Sequence, residues 1–287
     1  MVIQLSPQKN NLEKNLISII LCAGKGTRIA KEYSSIPKTL IKVKSINNKT
    51  ILEIILDGLT EIDDLNQYWI VIGYLGNKIS SHITYLISHN QKLKNKIKII
   101  NAIEEYEKGP LYSLLSVLST DLINANQLYL IIPGDTIFED EIIIEASKII
   151  KNHKSNRPII FYQFINRIQF QDKSNSNKTV RILETSTVYE NGNSFEILKN
   201  INENIKISDL RVKNFKQILP IFALNYDFLV LLSKLAPKLT VNTISEAINT
   251  IKTDYQIQVY KIETKSNFFD IDTKLDFKYL NKKKGGQ

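Results

Sequence analysis

Cysteine, methionine and tryptophan occur once each in this chain, and histidine three times, in 287 residues. The lone cysteine, Cys22, has no partner for a disulfide within the chain. At this length, with 43% hydrophobic residues, a chain closes a large core without staples or structural metals. Cys22 lies in an apolar run, so the expectation is a reduced, cytoplasmic thiol buried in a strand. Long apolar runs are missing: no stretch approaches the ~20 residues that a membrane span needs. The start, MVIQLSPQKNNLEKN, is polar rather than a charged segment followed by an apolar one. Neither secretion nor membrane insertion is expected. His82, His89 and His153 have no metal-ligand spacing and read as solvated surface residues.

Acidic residues are in deficit, and the formal net charge is +9. Such a balance raises the question of nucleic acid, whose phosphates are held chiefly by Lys and Arg. The basic residues are spread over segments such as Gln91 to Lys98 and over Lys282 to Lys284, with no recognition-helix motif and no RNA-recognition aromatic signature. A nucleic-acid partner is therefore not expected. A multiply phosphorylated small substrate accounts for part of the excess, and a chain-wide bias to Ile, Asn and Lys for much of the rest.

What is present is alternation. LISIILCA, residues 16–23, is an uninterrupted apolar run ended by Gly24, as in a strand buried on both faces of a parallel sheet. Helical spacing follows at Ile51, Ile54, Ile55 and Leu59, then a strand over Tyr68 to Tyr74, a helix through Ile79, Ile83, Leu86 and Ile87, and a strand over Ile97 to Asn101. Pro110 opens the next helix, Leu128 to Ile132 is again strand-like, and a further helix begins near Asp140. The repeat predicts right-handed βαβ crossovers and a mostly parallel α/β sheet with helices on both faces. Ligands in such sheets bind beyond the carboxyl ends of the strands, so the segments after Ala23, Tyr74 and Pro133 should line one crevice.

Beyond Pro158 the pattern becomes β-rich. Val180 to Tyr189 and Ser194 to Leu198 flank Asn191 and Gly192, a pair suited to a type I′ hairpin turn. This predicts a small inserted β lobe over about 165–215. QILPIFALN (Gln217 to Asn225) brings the chain back, followed by helices near 227–235 and 243–251 and a strand over 257–262. FFDIDTKLDFKYL then reads as a strand end, a loop and a closing helix. The expected organisation is an N-terminal extension over 1–15, one domain over 16–281 and a flexible tail over 282–287.

The strongest local signal is LCAGKGTR, Leu21 to Arg28, with Pro37 and Lys38 following nine and ten residues later. Two glycines let a backbone approach a polyphosphate and offer it free N–H groups. Arg28 adds a planar fork and Lys38 a mobile point charge. The same residues also suit a tight strand-to-helix turn with two surface cations. A Walker A loop requires GxxxxGK[ST], but only one residue separates Gly24 from Gly26. A dinucleotide fingerprint requires a third glycine where Ile29 stands.

The conjunction of LCAGKGTR and PK with IVIGYLG (Ile70 to Gly76), KGPLYSL (Lys108 to Leu114), PGD (Pro133 to Asp135) and DIDT (Asp270 to Thr273) resembles the sugar-phosphate nucleotidyltransferases. The resemblance spans most of the chain. It implies a Rossmann-like fold and transfer of a nucleoside monophosphate from an NTP to a sugar 1-phosphate or another small phosphomonoester, with release of pyrophosphate. It also implies Mg²⁺ as cofactor, held by Asp135 and by Asp272, with Asp270 as the alternative.

By the same resemblance Arg28, Lys38 and Asp135 are catalytic, Leu21, Cys22, Ala23, Gly24, Lys25, Gly26, Thr27 and Arg28 bind the nucleotide, and Gly109 lies in a segment closing over it. Other readings of these residues stay open: Asp135 as a turn acid, Asp272 as a helix cap, Lys25 as a solvated loop lysine, Lys108 to Leu114 as a capped helix start. The chain departs from the family pattern at Ile29 and in an Asn-rich β insert, which leaves the acceptor open. The expected partners are an NTP and a phosphorylated acceptor, and a second copy of the chain is a possible further partner. Two rivals remain: a non-catalytic nucleotide-binding regulatory subunit, and a nucleotidyltransferase for a molybdopterin or cobalamin precursor.

Overall fold

A computed structural model of the chain describes residues 15–27, 33, 35–63, 65–123, 125, 127–153, 155–167, 179–252 and 255–283. In chain order the strands are β1 (Asn15–Cys22), β2 (Lys42–Val43), β3 (Lys49–Thr50), β4 (Leu65–Ile72), β5 (Ile97–Asn101), β6 (Gln127–Pro133), β7 (Thr136–Phe138), β8 (Ile159–Asn166), β9 (Thr179–Glu190), β10 (Asn193–Lys206), β11 (Asn214–Asn225), β12 (Gln258–Lys261) and β13 (Phe268–Asp270). The α-helices are α1 (Ile51–Thr60), α2 (Gly76–His89), α3 (Pro110–Leu115), α4 (Asp140–Asn152), α5 (Tyr226–Leu235), α6 (Ile244–Ile251) and α7 (Lys274–Lys283). Among the described residues no helix is long and apolar enough to cross a membrane.

Among the described residues nine strands form one sheet in the order β5-β4-β1-β6-β11-β8-β12-β10-β9. The first four run parallel, as the alternation predicts. Their side chains divide by period two: Leu16, Ile20 and Cys22 of β1 enter one apolar cluster, and Ile17 and Ile19 enter the other. Helices α1, α2, α4 and α7 cover the first face, and α3, α5 and α6 cover the second.

Local chemistry starts the helices where they are needed. Thr50 caps α1, accepting from the Glu53 N–H at 3.2 Å while the Glu53 carboxylate accepts from the Thr50 N–H at 2.6 Å. Thr243 and Glu246 cap α6 in the same way. In α1, Ile51, Leu52, Leu56 and Leu59 are almost wholly buried. At ~1.5–3 kcal/mol for each such side chain, against ~1 kcal/mol for a cap, packing decides that the helix exists and the cap decides where it starts.

Past β6 the sheet becomes mixed. Strand β11 lies antiparallel between β6 and β8, although Pro220 stands inside it. Proline supplies no ladder N–H, and the pairing with β8 shifts register between Ile218 and Phe222, across that residue. The β9–β10 hairpin turns at Asn191 and Gly192, with φ of 50° and 77°, and is the inserted β lobe. Strand β10 touches β12 at Ile197, and β9 returns to β11 at Ile182, so β11, β8, β12, β10 and β9 close a ring. The carboxyl ends of β1, β4, β6, β8 and β12 all lie along one edge of the sheet.

Candidate functional site

At that edge three acidic residues meet. Carboxylate oxygens of Asp135, Asp270 and Asp272 lie within 4.8 Å of one another. Asp135 follows β6 after Gly134, and Asp270 ends β13, which is held to β7 by the pairing of Asp270 with Thr136. The Ile271 N–H donates to the Asp135 carbonyl at 3.2 Å, and the Thr136 hydroxyl donates to the Asp270 carboxylate at 3.4 Å. A two-strand clip thus joins parts of the chain up to 134 residues apart, and no local sequence signal announces it. Asp276 accepts from the N–H groups of Asp272 and Thr273 at 3.2 and 2.8 Å, and the Thr273 hydroxyl accepts from the Asp276 N–H at 3.3 Å, so Thr273 and Asp276 make reciprocal bonds at the start of α7.

Lys38 opens a short 3₁₀ turn after Pro37, and its side chain is only 8% exposed. Its ammonium donates to Asp135 at 2.7 Å and to Asp272 at 3.5 Å. Burial works to lower the Lys38 pKa, but Asp135, then Asp272 and Asp270, outweigh it and hold the pKa above its ordinary value. One ammonium faces three carboxylates, which leaves the cluster net negative. Two oxygens that share an ion at ~2.1 Å lie at most about 4.2 Å apart, so the triad needs only small shifts to hold a hard divalent cation.

The glycine turn begins where β1 ends. Ala23 is buried, Gly24, Lys25 and Thr27 are exposed, and Gly26 has φ of 57°. The Leu21 carbonyl is taken by the Gly134 N–H at 2.9 Å and that of Ala23 by the Tyr74 N–H at 3.1 Å. These bonds dock the turn against the ends of β4 and β6, and they leave residues 24–27 as the part open to a ligand. Arg28 lies outside the described residues. The Cys22 side chain points into the core, where burial, aided by Asp135, pushes the thiol up to about 12.

Gly109 and Lys25 have structural partners as well. A Cβ on Gly109 would stand 2.7 Å from the Asn242 carbonyl, and its φ is 117°. Lys25 reaches across the crevice to Glu107 at 2.7 Å and lies 5.8 Å from the Tyr106 ring centre. That ring occupies the space over Gly73, where a Cβ would meet it at 2.6 Å. Neither Glu107 nor Tyr106 sits in a recurring sequence pattern, so only the fold reveals them.

Lys38, Asp135, Asp270 and Asp272 are therefore brought together, and the open turn and Gly109 line the same edge. The histidines correct the sequence reading. His153 is 6% exposed and bonded to the Tyr260 hydroxyl at 3.2 Å and the Arg157 carbonyl at 3.1 Å. His82 is half-buried against Thr50 and Glu53, and only His89 is exposed. His153 is covered by Tyr260 of β12, and His82 by Thr50 and Glu53 at the start of α1, partners that periodicity does not foresee.

The model of the MobA-like NTP transferase domain matches residues 18–166, just over half of the chain. The chain belongs to that family. This NTP transferase domain carries its glycine turn, Lys38 and Asp135 inside the matched stretch, whereas Asp270 and Asp272 lie beyond it. It is 27% identical over 194 residues to the bifunctional protein GlmU of Methanococcus maripaludis, covering 64% of this chain and 42% of that protein. The chain thus spans less than half the length of that relative. Its fold is shared with a UDP-glucose pyrophosphorylase solved with UDP-glucose, at TM-score 0.68, 14% identity and coverage of 94% and 98% of the two chains. It is also shared with the CTP:phosphocholine cytidylyltransferase of Streptococcus pneumoniae, at TM-score 0.58, 18% identity and coverage of 93% and 98%.

Proposed function

We propose that the chain transfers a nucleoside monophosphate from an NTP to a sugar 1-phosphate or a similarly small phosphomonoester, in a Mg²⁺-dependent reaction. The observation that carries this reading is the convergence of Asp135, Asp270, Asp272 and Lys38 beside an open glycine turn. An acceptor phosphate oxygen attacks the α-phosphorus, the bond to the β-phosphate oxygen breaks, and pyrophosphate leaves. Two anions approach in that step, so the task is to neutralise and align them.

The candidate residues divide that task. Backbone N–H groups of residues 24–27 receive the β- and γ-phosphates, with Lys25 and Arg28 adding charge, and the Leu21 to Gly24 backbone faces base and ribose. Gly109 allows its loop to close over the nucleotide. Lys38, fixed by two carboxylates, offers its ammonium to the acceptor phosphate or the α-phosphate as charge builds there. Asp135 and Asp272, with Asp270 as a further candidate, would hold Mg²⁺, which supplies charge neutralisation and alignment of the phosphates when bound. Similarity to GlmU and to UDP-glucose pyrophosphorylase supports a sugar phosphate acceptor, and the fold shared with a phosphocholine enzyme widens the class to test. Residues 16–281 act as one catalytic unit in this reading, and the single buried thiol accords with the cytoplasm.

Pyrophosphate release measured over four NTPs and a panel of phosphomonoesters tests the proposal. One pairing should give release that chelation removes, and Asp135→Asn should lower turnover at least ~100-fold with an unchanged circular dichroism spectrum. Silence across the panel with folded protein, or full activity in Asp135→Asn, contradicts it.

A further inference from the structure

A cavity of about 690 Å³ opens at the carboxyl ends of β8 and β12, with Phe164, Asn166, Asn214, Lys261, Thr264 and Asn267 in its lining. Ligand pockets run to ~300–1,000 Å³, so the space suits a phosphorylated hexose. One wall is the irregular stretch 262–267, and side chains hold it from behind. The Glu145 carboxylate accepts from the N–H groups of Glu263 and Thr264 at 2.7 and 3.0 Å. Glu139 accepts from the Asn267 N–H at 2.7 Å, and Glu141 from the Ser266 hydroxyl at 3.0 Å. The buried Gln163 amide donates to the carbonyls of Thr264 and Ser266, at 3.0 Å each. None of these four side chains has a part in the transfer chemistry. Together they give a loop the fixed surface that recognition requires.

The loop runs directly into β13. Three extended residues, about 10 Å at ~3.3 Å each, separate Asn267 from Asp270, which is comparable to the length of a sugar phosphate. We infer that this cavity receives the body of the acceptor and selects sugar or cyclitol phosphates over phosphates of quaternary-ammonium alcohols. The inference rests on the transfer reading above and names its acceptor class. The amides of Asn166, Asn214 and Asn267 and the Thr264 hydroxyl both donate and accept, as adjacent hydroxyls demand. Phe164 is half exposed and would be the natural face for a quaternary ammonium. Its ring already has the Lys261 ammonium 5.4 Å and the Lys216 ammonium 5.7 Å from its centre. Glu263 and Glu196 hold these lysines in place at 2.5 Å each. A third cation would meet both ammonium groups at short range.

Saturation-transfer NMR on the full chain tests this, with Mg²⁺ and α,β-methylene analogues of the NTPs present. The probes are glucose 1-phosphate, N-acetylglucosamine 1-phosphate, myo-inositol 1-phosphate and phosphocholine. Ring protons of at least one of the first three should receive saturation, and the phosphocholine methyls should not. The doubly substituted Asn214→Ala, Lys261→Met chain should lose the signal at least fivefold while its thermal midpoint stays put. Saturation of the phosphocholine methyls, none for any sugar or cyclitol phosphate, or undiminished binding by the double variant overturns the inference. Acceptor binding that follows this pattern without pyrophosphate release keeps the cavity assignment and removes the transfer reading. Release with phosphocholine alone does the reverse.

Discussion

The Cys22 thiol shows how a single residue takes its character from its surroundings. It ends β1 beside the glycine turn, yet it is 3% exposed, and burial pushes it up to about 12. At pH 8 the thiolate fraction is then ~10⁻⁴, so the folded protein should not react with Ellman's reagent over an hour and should yield one thiol per chain once denatured. Rapid stoichiometric labelling of the native protein contradicts that environment. Asp135 and the DIDT aspartates were singled out because each stands in a short motif at a strand end, and Lys38 because it follows Pro37 beyond the glycine turn. Sequence left Asp272 and Asp270 as alternatives, and the structure places both in the cluster. Gln163 and Glu107 were illegible: their partners lie 82 or more residues away, and only the folded chain brings them close.

Among the elements, the strands of the parallel half and their helices were legible because continuous apolar runs and helical spacing are unambiguous when both faces of a sheet are covered. The β9–β10 hairpin was found by its Asn-Gly pair. The return segment 217–225 was read in spite of Pro220 and falls in β11, FFD was read as a strand end and is β13, and β7, three residues long, is too short for any period. The junction of β1 and β6 gives a prediction here. A Cβ on Gly134 would stand 2.6 Å from Cys22 Sγ and 2.7 Å from the Leu21 carbonyl, whereas one on Gly24 meets nothing within 4 Å. Gly134→Ala should lower the stability read from urea unfolding by ~1–3 kcal/mol, and Gly24→Ala should change it by well under 1 kcal/mol. Equal effects contradict the close approach of β1 and β6.

For the whole molecule, the topology decides what the residues do together. A parallel sheet sends the glycine turn after β1 and Asp135 after β6 to one edge, and the clip between β7 and β13 returns Asp270 and Asp272 to it from the far end of the chain. The parallel order was legible in sequence and the clip was not, because pairing of two three-residue strands depends on tertiary packing. The account stands on one arrangement, a triphosphate on the glycine turn with a divalent ion between it and the aspartates. Its most direct test is a crystal structure with an unreactive NTP analogue and Mn²⁺, in which anomalous scattering locates the ion. The account predicts an anomalous peak within bonding distance of Asp135 and of Asp272 or Asp270, with the triphosphate on the N–H groups of residues 24–27. A peak away from these carboxylates, or a triphosphate bound elsewhere, contradicts it.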